Sequence, residues 1–418
     1  MNKRPIFLIS IIIVALLFLL VATGKSISKQ RSLNDNTNNE NIIEALKTDC
    51  GAGNACRELT VRGDNKYKLP NGTSSPFSGY ADPSVREDSN GVLWMAYSWP
   101  HLKFVNKKPI PSVDIHLAKS IDKGNSWDFV TKLFTATPTS NPSKLPQSGY
   151  IDYEVVNLLP AEINGETTWF GVTLNYFVPE QGGMAARPLN SFHIRIYQAN
   201  SPSGISSAPY AILGGGATAK EWNVDQSLIP DDVNILDWKS FFWNEPSLYY
   251  EDGTLYLVMV SFHLRNRSDI SRDSVHVLAA HPEGSPNSWR WEYRGKLAGK
   301  DEASLLQAER LTQIDIARGK QEKLLLIASP DDWDEKFDDY NHKGCVALEI
   351  ASLEKPSLKK NADGNLVLHA IIQDSQANEL GSAACSYDPS STTGIIFTRR
   401  NKTQNELTAS LWQTYLRP

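Results

Sequence analysis

The segment Gly79-Tyr80-Ala81-Asp82-Pro83-Ser84-Val85 introduces the pattern that decides the fold of this chain. It leads into the turn dipeptide Asn90-Gly91 and the strand-like run Val92–Ser98. Asn-Gly supplies the positive φ angles that a type I′ turn between two antiparallel strands requires. The unit is therefore an acidic residue at the start of a strand, a tight turn and a second strand.

The same unit recurs twice more in clear form. Gly149-Tyr150-Ile151-Asp152-Tyr153-Glu154-Val155 precedes the turn Asn164-Gly165, and Trp243-Asn244-Glu245-Pro246-Ser247-Leu248 precedes the turn Asp252-Gly253. Two weaker echoes follow in the C-terminal part of the chain. The unit repeats about every 75 residues, and its acidic positions are Asp82, Asp152, Glu245, Glu309 and Asp388.

Radial repetition of four-stranded units is typical of a β-propeller. We therefore predict an all-β fold, a five-bladed β-propeller of four-stranded antiparallel blades, from about residue 76 to the end of the chain. An irregular β-sandwich is the alternative. The first strand of each propeller blade lines the central channel, so the acidic positions are expected to converge on one axial pocket. When carboxyl groups lie close together, their like charges separate their pKa values. One group can then stay protonated and act as an acid while another is ionised and acts as a base.

An uninterrupted apolar run from Ile6 to Gly24 follows two basic residues at the N-terminus. A run of ~19 residues is long enough for a signal peptide or a membrane anchor. We predict a signal peptide or anchor over residues 1–24, a polar tether over residues 25–47 and the propeller over residues 48–418. The basic residues keep the N-terminus in the cytoplasm, so the propeller is expected to be exported, either membrane-anchored or secreted. Only the N-terminal segment is expected to contact a membrane.

The chain contains four cysteines, Cys50, Cys56, Cys345 and Cys385. An even number in an exported chain predicts two disulfides, and three pairings are open. None of the four has zinc-ligand spacing, and we predict no metal ligands. The 42 basic and 47 acidic residues give a net charge of −5, which argues against a nucleic-acid partner. The acidic stretch 331–339 is interpreted as a solvated loop.

Three of the repeated motifs resemble those of a known group of enzymes. Ala81-Asp82-Pro83-Ser84, Ile151-Asp152 and Glu245-Pro246-Ser247-Leu248 occur in the order found in the five-bladed β-propeller glycoside hydrolases. Within that group the chain looks most like family 43, which contains arabinanases, xylosidases and arabinofuranosidases. The resemblance spans about residues 79–387. It departs from the family where Ile151-Asp152 lacks the usual following Pro.

The resemblance implies a catalytic domain that hydrolyses poly- or oligosaccharides with inversion. In such a reaction a carboxylate activates water on one face of the sugar while a carboxylic acid protonates the leaving oxygen. The matching motifs imply that Asp82 is the general base, Glu245 the general acid and Asp152 the residue that raises the pKa of the acid. Glu154 is the substitute for Asp152, because alternate residues of a strand share a face.

Further residues are candidates for binding the glycan. Trp243 could stack on a sugar ring, and the polar candidates are Glu154, Glu309, Arg310 and Asp388. For each of these residues a structural role at a strand end is the alternative. The resemblance implies no required cofactor, although family members often hold a structural Ca²⁺ on the channel axis, to which Glu309 or Asp388 could contribute. A monomer is expected.

A second resemblance suggests an alternative reaction. Ser120-Ile121-Asp122-Lys123-Gly124-Asn125-Ser126-Trp127 fits the Asp-box pattern of sialidases, a turn between the outer strands of a blade. A retaining, sialidase-like enzyme is therefore one alternative. Sialidases hold a carboxylate with three channel arginines, for which Arg265, Arg310 and Arg399 are the candidates here. A non-catalytic carbohydrate-binding propeller is the other alternative, favoured by the missing Pro after Asp152.

Overall fold

The computed structural model describes most of the chain from residue 45 onward. The described ranges are 45–105, 107–139, 148–181, 183, 187–188, 191–214, 241–263, 273–334, 336, 339–377, 381–402 and 406–418. The predicted N-terminal segment, residues 1–24, and most of the predicted tether, residues 25–47, lie outside these ranges. Among the helices that the structure describes, none has the length and apolar character needed to cross a membrane.

Strands dominate the described residues, so the all-β prediction is confirmed. The described helices are short: α1 (Lys300–Leu305) and three 3₁₀ helices, Pro202–Ser207, Pro286–Ser288 and Lys320–Glu322. Four short strands come first: β1 (Leu46–Asp49), β2 (Cys56–Glu58), β3 (Val61–Arg62) and β4 (Phe77–Ser78). Because β1 begins at Leu46, the predicted tether ends slightly earlier than residue 47.

Three antiparallel sheets follow in chain order. Sheet I contains β5 (Ala81–Glu87), β6 (Leu93–Val105), β7 (Lys108–Ser120) and β8 (Trp127–Phe134). Sheet II contains β9 (Thr137–Thr139), β10 (Gly149–Ile163), β11 (Glu166–Pro179), β12 (His193–Ala199) and β13 (Tyr210–Gly214). Sheet III contains β14 (Phe241–Glu251), β15 (Thr254–His263), β16 (Ser274–Ala280) and β17 (Glu292–Ala298).

The remaining strands form one twelve-stranded sheet together with β1, β2 and β4, and this sheet has two parts, called sheet IV and sheet V. Sheet IV contains β18 (Arg310–Arg318), β19 (Leu324–Asp334), β20 (Asp339–Lys343), β21 (Cys345–Ser352), β22 (Ser357–Leu358) and β23 (Leu368–Gln373). Sheet V contains β24 (Gly381–Ser386), β25 (Ile396–Lys402) and β26 (Leu407–Thr414). The hairpin β19–β20 extends beyond sheet IV, and β20 pairs in parallel with β24, which links the two sheets.

The inner strands of sheets I to V surround one axis. Each sheet has one inner strand, which is β5, β10, β14, β18 or β24, and each inner strand contacts the inner strand of the next sheet. The last of them, β24, contacts β5, so the inner strands form a closed ring. The apolar core lies between neighbouring sheets, where fully buried side chains such as Phe170, Leu257, Leu326, Phe397 and Leu117 pack.

Every inner strand carries a bulge at the same height. The residues at the bulges have positive φ: Asp82 (49°), Val155 (47°), Glu245 (49°), Gln313 (50°) and Ala384 (53°). At each of them the register with the neighbouring strand shifts, as a β-bulge does. The structural equivalents of Asp82 and Glu245 in the other sheets are therefore Val155, Gln313 and Ala384, which corrects the predicted equivalence with Asp152, Glu309 and Asp388.

A buried ion pair fills the axis below the bulges. The guanidinium group of Arg86, on β5, pairs with the carboxylate of Asp315, on β18, with Nη1 to Oδ2 at 3.1 Å. The other inner strands also donate to this carboxylate, through Asn157 Nδ2 at 2.9 Å, Ser247 Oγ at 3.2 Å and Ser386 Oγ at 2.7 Å. All five inner strands therefore meet at Asp315.

Side chains at the same level also cross-link neighbouring strands through the backbone. Ser84 Oγ accepts the N–H of Leu158 at 2.9 Å, and Asn157 Oδ1 accepts the N–H of Leu248 at 3.0 Å. In the same way, Ser247 binds the N–H of Ile316 and Ser386 binds the N–H of Val85, both at 3.0 Å. These contacts satisfy buried donors on the open edge of each inner strand, which would otherwise be destabilising.

The N-terminal strands and two disulfides hold the outside of the ring together. β2 pairs with β26 of sheet V, β3 pairs with β8 of sheet I and β1 pairs with β23 of sheet IV. The disulfides are Cys50–Cys56 and Cys345–Cys385, so the predicted number is confirmed and one of the three open pairings is selected. Cys345–Cys385 connects β21 of sheet IV to β24 of sheet V.

Replacement of Asp315 by Asn should strongly destabilise the fold. The side chains of Arg86 and Asp315 are 7% and 4% exposed, and removing one partner of a buried ion pair costs about 3–5 kcal/mol. Urea denaturation followed by tryptophan fluorescence would measure the free energy of unfolding. The control is Asp128→Asn, which breaks the exposed pair with Arg62 and should change stability little. Equal losses in both variants would contradict the role of the axial pair.

Candidate active site

A pocket of about 180 Å³ opens around the axis at the level of the five bulges. All five sheets contribute to its lining, which includes Asp82, Glu154, Glu245, Gln313, Asp339, His342 and Arg400. The bulges turn the side chains of Asp82 and Glu245 into this space. Two of the three predicted catalytic carboxyl groups therefore lie in one pocket.

Asp82 lies at the bulge of β5, and its own N–H donates to Thr398 Oγ1 on β25 at 3.0 Å. Burial raises the pKa of the Asp82 carboxyl to about 7, and the negative charge of Glu154 acts in the same direction. A hydrogen bond from Ser98 and the positive charge of Arg400 oppose this rise in pKa. At a pH near neutrality this carboxyl therefore can accept a proton.

Glu245 lies at the bulge of β14 and is 2% exposed. The backbone N–H of Gln313 donates to its Oε2 at 2.6 Å, and Gln313 Nε2 donates to its Oε1 at 3.0 Å. Burial raises the pKa of Glu245 well above its usual value, although the bond from Gln313 acts in the opposite direction. The negative charges of Asp331, Asp82 and Glu154 also raise it. These causes together favour the protonated form of Glu245.

Asp152 does not lie in the pocket, which corrects its predicted position beside the acid. It is fully buried, and its carboxylate accepts bonds from Ser112 Oγ at 2.8 Å and from the N–H of Val113 at 3.3 Å. These contacts hold hairpin β6–β7 of sheet I against sheet II, where Val113 forms part of the pocket wall. Burial raises the pKa of Asp152 to about 7. The charges that raise the pKa of Glu245 include that of Glu154, the predicted substitute.

Four predicted glycan-binding residues lie outside the pocket lining. Trp243 is fully buried and packs edge-on against His276, so it offers no ring face to a sugar. Arg310 is 3% exposed and pairs with Asp273 at 2.8 Å. These two positions are corrected to structural roles, because their polar or aromatic groups are used within the fold.

The other two are the acidic echoes. Glu309 Oε2 accepts the N–H of Trp333 at 2.9 Å, which fixes the end of β19. Asp388 Oδ2 accepts the N–H of Glu87 at 2.9 Å, at the end of the inner strands away from the pocket. Neither carboxyl faces the axis, so the predicted convergence of all five acidic positions is wrong.

The residues on the axis do not fit a Ca²⁺ ion. The carboxylate of Asp315 on the axis is already paired with Arg86, and it accepts hydrogen bonds from three further donors. In the part of the chain that the structure describes, no group of three or more His, Cys, Asp or Glu side chains could hold a metal. Glu309 and Asp388 are used elsewhere, as described above.

The predicted channel arginines do not form a cluster. Arg310 pairs with Asp273 and Arg399 pairs with Asp374, at 2.6 Å from Nε to Oδ2, and Arg265 lies outside the described residues. The arginines in the described pocket lining are Arg187 and Arg400. The geometry gives no support to three arginines that hold one carboxylate.

The segment Ser120–Trp127 forms the turn between the outer strands β7 and β8. Asp122 accepts the N–H of Ser126 at 2.9 Å and the hydroxyl groups of Ser126 and Ser120, while Trp127 is fully buried. These contacts close a turn on the outside of sheet I. The segment is remote from the pocket and contributes no residue to its lining.

A charged group on the β19–β20 hairpin and β25 was not among the predicted site residues. The acidic stretch 331–339, predicted to be a solvated loop, contains the end of β19 and the start of β20, and Asp331 is fully buried. His342 and Arg400 line the pocket. Arg400 carries no recognisable motif, and only the pairing of β20 with β24 brings these segments together.

No family model and no curated protein matches the chain. Solved structures similar to it include Zg3597, a family 117 glycoside hydrolase of the marine bacterium Zobellia galactanivorans (13% identity, 87% of this chain and 90% of that chain, TM-score 0.48). Another is an exo-1,5-α-L-arabinanase from a bovine ruminal metagenomic library (13% identity, 83% of this chain and 94% of that chain, TM-score 0.44). A third is an α-L-arabinofuranosidase from Fusarium graminearum (11% identity, 80% of this chain and 93% of that chain, TM-score 0.40). These structural neighbours are glycoside hydrolases. Their TM-scores are below 0.5, so the description of the fold rests on the contacts within this chain.

Replacement of Asp82 by Asn should stabilise the fold at alkaline pH. Its pKa rises from 3.8 to about 7 on folding, so the folded state holds a proton that the unfolded state has released between these values. The stability linked to that proton is present at low pH and is lost as the pH rises through about 7. We expect a gain on the order of 2 kcal/mol at about pH 8 and little change at about pH 4. The gain is smaller than the full pKa shift implies, because Asp82 is partly exposed and solvent screens its charge.

Urea denaturation at both pH values measures this difference. The control is Asp363→Asn on an exposed loop, which should give the same small change at both pH values. A loss of stability in Asp82→Asn that does not depend on pH would contradict the assigned pKa.

Proposed function

We propose that the chain is a glycoside hydrolase built as a five-bladed β-propeller, with sheets I to V as its blades. The observation that carries the proposal is the pair of Asp82 and Glu245. They occupy equivalent bulges of sheets I and III and face one pocket. Burial raises the pKa of both carboxyl groups. One carboxyl that is ionised and one that is protonated near neutral pH are the requirement of acid–base glycoside hydrolysis.

The proposed reaction is a single displacement at the anomeric carbon. Glu245 donates its proton to the glycosidic oxygen as the bond from that oxygen to the anomeric carbon breaks. Asp82 takes a proton from a water molecule, whose oxygen bonds to the anomeric carbon from the opposite face. The result is a sugar with inverted configuration and a free leaving group. Glu154 assists because its negative charge helps to keep Glu245 protonated.

We also propose that the protein acts outside the cytoplasm on a glycan polymer or oligosaccharide. Two disulfides are typical of an oxidising compartment. The apolar run at residues 6–24 remains the predicted export signal or anchor. A non-catalytic carbohydrate-binding propeller and a retaining sialidase-like enzyme are the alternatives that the experiments below separate.

A hydrolysis screen tests the activity. The full chain is incubated with arabinans, xylans, fructans, mannosides and sialosides, and released sugar is measured. Glu245→Gln and Asp82→Asn should each lower the rate by about 100-fold or more, because each removes one proton-transfer group. The control is Glu251→Gln on the same strand as Glu245, whose side chain pairs with Arg318 away from the pocket and should leave the rate unchanged.

Two outcomes would contradict the proposal. Sugar release that is equal in the wild type and in both pocket variants would reject the assigned acid and base. Glycan binding without release by any form would favour the carbohydrate-binding alternative. Circular dichroism of each variant checks that loss of activity does not reflect loss of the fold.

The stereochemistry of the product tests the mechanism separately. We expect the sugar that is first released to have the anomeric configuration opposite to that of the substrate, because water attacks directly from the face opposite the leaving group. Proton NMR of the anomeric signal during the first minutes of the reaction measures it. Retained configuration would indicate a covalent intermediate and would favour the sialidase-like alternative.

A further inference from the structure

A charged network on one wall of the pocket has no part in the proposed reaction so far. It consists of Asp331 at the end of β19, His342 on β20 and Arg400 on β25. Asp331 is fully buried, and His342 is 3% exposed. His342 and Arg400 line the pocket beside the two catalytic carboxyl groups. Burying charged groups costs free energy unless they are paired. We therefore asked what this network does for the neighbouring carboxyl groups.

The hydrogen bonds of the network fix the state of its histidine. Arg400 Nη1 lies 2.6 Å from His342 Nε2, and because arginine can only donate, Nε2 accepts. The proton of the imidazole therefore lies on Nδ1, which donates to Asp331 Oδ1 at 2.5 Å. Arg400 Nη2 also donates to Asp339 Oδ2 at 2.8 Å. A neutral His342 thus orients the guanidinium group of Arg400 and connects it to Asp331.

One end of the network lies beside Asp82. The N–H of Asp82 donates to Thr398 Oγ1 at 3.0 Å, and Thr398 precedes Arg400 by two positions on β25. Alternate residues of a strand share a face, so Arg400 follows Thr398 on the side of the strand that faces Asp82. Asp82 and Arg400 both line the pocket.

The other end lies beside Glu245. The hydroxyl group of Thr312 donates to Asp331 Oδ2. The next residue, Gln313, donates its N–H to Glu245 Oε2 at 2.6 Å. One short stretch of β18 therefore holds the carboxylate of Asp331 and the carboxyl group of Glu245 close to each other.

We propose that Asp331, His342 and Arg400 form a positioning triad that holds positive charge beside Asp82 and negative charge beside Glu245. The triad keeps the base ionised and the acid protonated at the same pH, and none of its members reacts. The proposal rests on the assignment of Asp82 and Glu245 as base and acid. In this proposal, side chains of sheets IV and V keep Asp82 ionised and Glu245 protonated. No sequence motif indicated these side chains.

Other groups that face the two carboxyl groups are the same in every variant considered below. Asp82 is also faced by Ser98 on β6 and Glu154 on β10. Glu245 is also faced by Gln313 on β18, Glu154 on β10 and Tyr340 on β20. The positive charge of Arg400 lowers the pKa of Asp82, and the negative charge of Asp331 raises the pKa of Glu245. The two ends of the triad therefore act on different limbs of a pH–rate profile.

The test is the pH dependence of kcat/KM for the full chain on the polysaccharide identified by the hydrolysis screen. A natural polymer is needed because an activated leaving group would hide the acid. Arg400→Gln should move the acidic limb, which reports the base, upward by about one pH unit or more. Asp331→Asn should move the basic limb, which reports the acid, downward by a similar amount. Arg400→Lys keeps the charge and should restore most of the wild-type profile.

The control is Arg62→Gln, which removes the same charge at an exposed site and should move neither limb. A fall in rate at every pH with both limbs in place would overturn the proposal and leave the triad a structural role. If Asp331→Asn fails to fold, the comparison of Arg400→Gln with Arg400→Lys decides, since the Arg400 side chain is 17% exposed. A wild type that hydrolyses nothing at any pH would instead overturn the proposed function on which the triad rests.

Discussion

The carboxylate of Asp315 is the point on which the five sheets depend. It is buried on the axis, and every other inner strand supplies a donor to it: Arg86, Asn157, Ser247 and Ser386. A buried charge is tolerated only when its hydrogen-bonding capacity is satisfied, so the strands can shift along the axis only together. Three of these residues, and Asp315 itself, stand two positions after a bulge. The contact on the axis therefore also sets the height at which the bulge residues face the pocket.

The bulges explain why the chemistry lies where it does. Five equivalent positions with positive φ surround the pocket, and only those of sheets I and III carry carboxyl groups. A non-glycine residue in this conformation is strained, and here the strain is shared by apolar and amide residues in sheets II, IV and V. The bulge conformation is thus common to all five inner strands. The proposed reaction depends on the side chains at only two of the five bulges. Burial then gives these two carboxyl groups their unusual affinity for protons.

The sequence predicted the all-β fold and placed Asp82 and Glu245 on a common pocket, because both stand in short motifs before a strand and a tight turn. It failed for Asp152, Glu309 and Asp388, since an acidic residue before a strand does not reveal the register of a bulge. A better sequence signal for the bulge is the polar residue that stands two positions after it in each inner strand. These residues are Ser84, Asn157, Ser247, Asp315 and Ser386. Arg400 and His342 could not be found in this way. They meet the pocket only because β20 leaves its own sheet to pair with β24, which no local pattern encodes.

The ring is closed by strands from opposite ends of the described chain. Cys56 of β2 pairs with Thr414 of β26, and Val61 of β3 pairs with Trp127 of β8. The segment that seals sheet V to sheet I is thus synthesised long before its main partner, β26. Contacts between residues so distant in sequence form slowly, because the loop between them must first be closed. Completion of the ring is therefore a late and cooperative event, and a nascent chain without β26 would leave β2 and one edge of β25 unpaired.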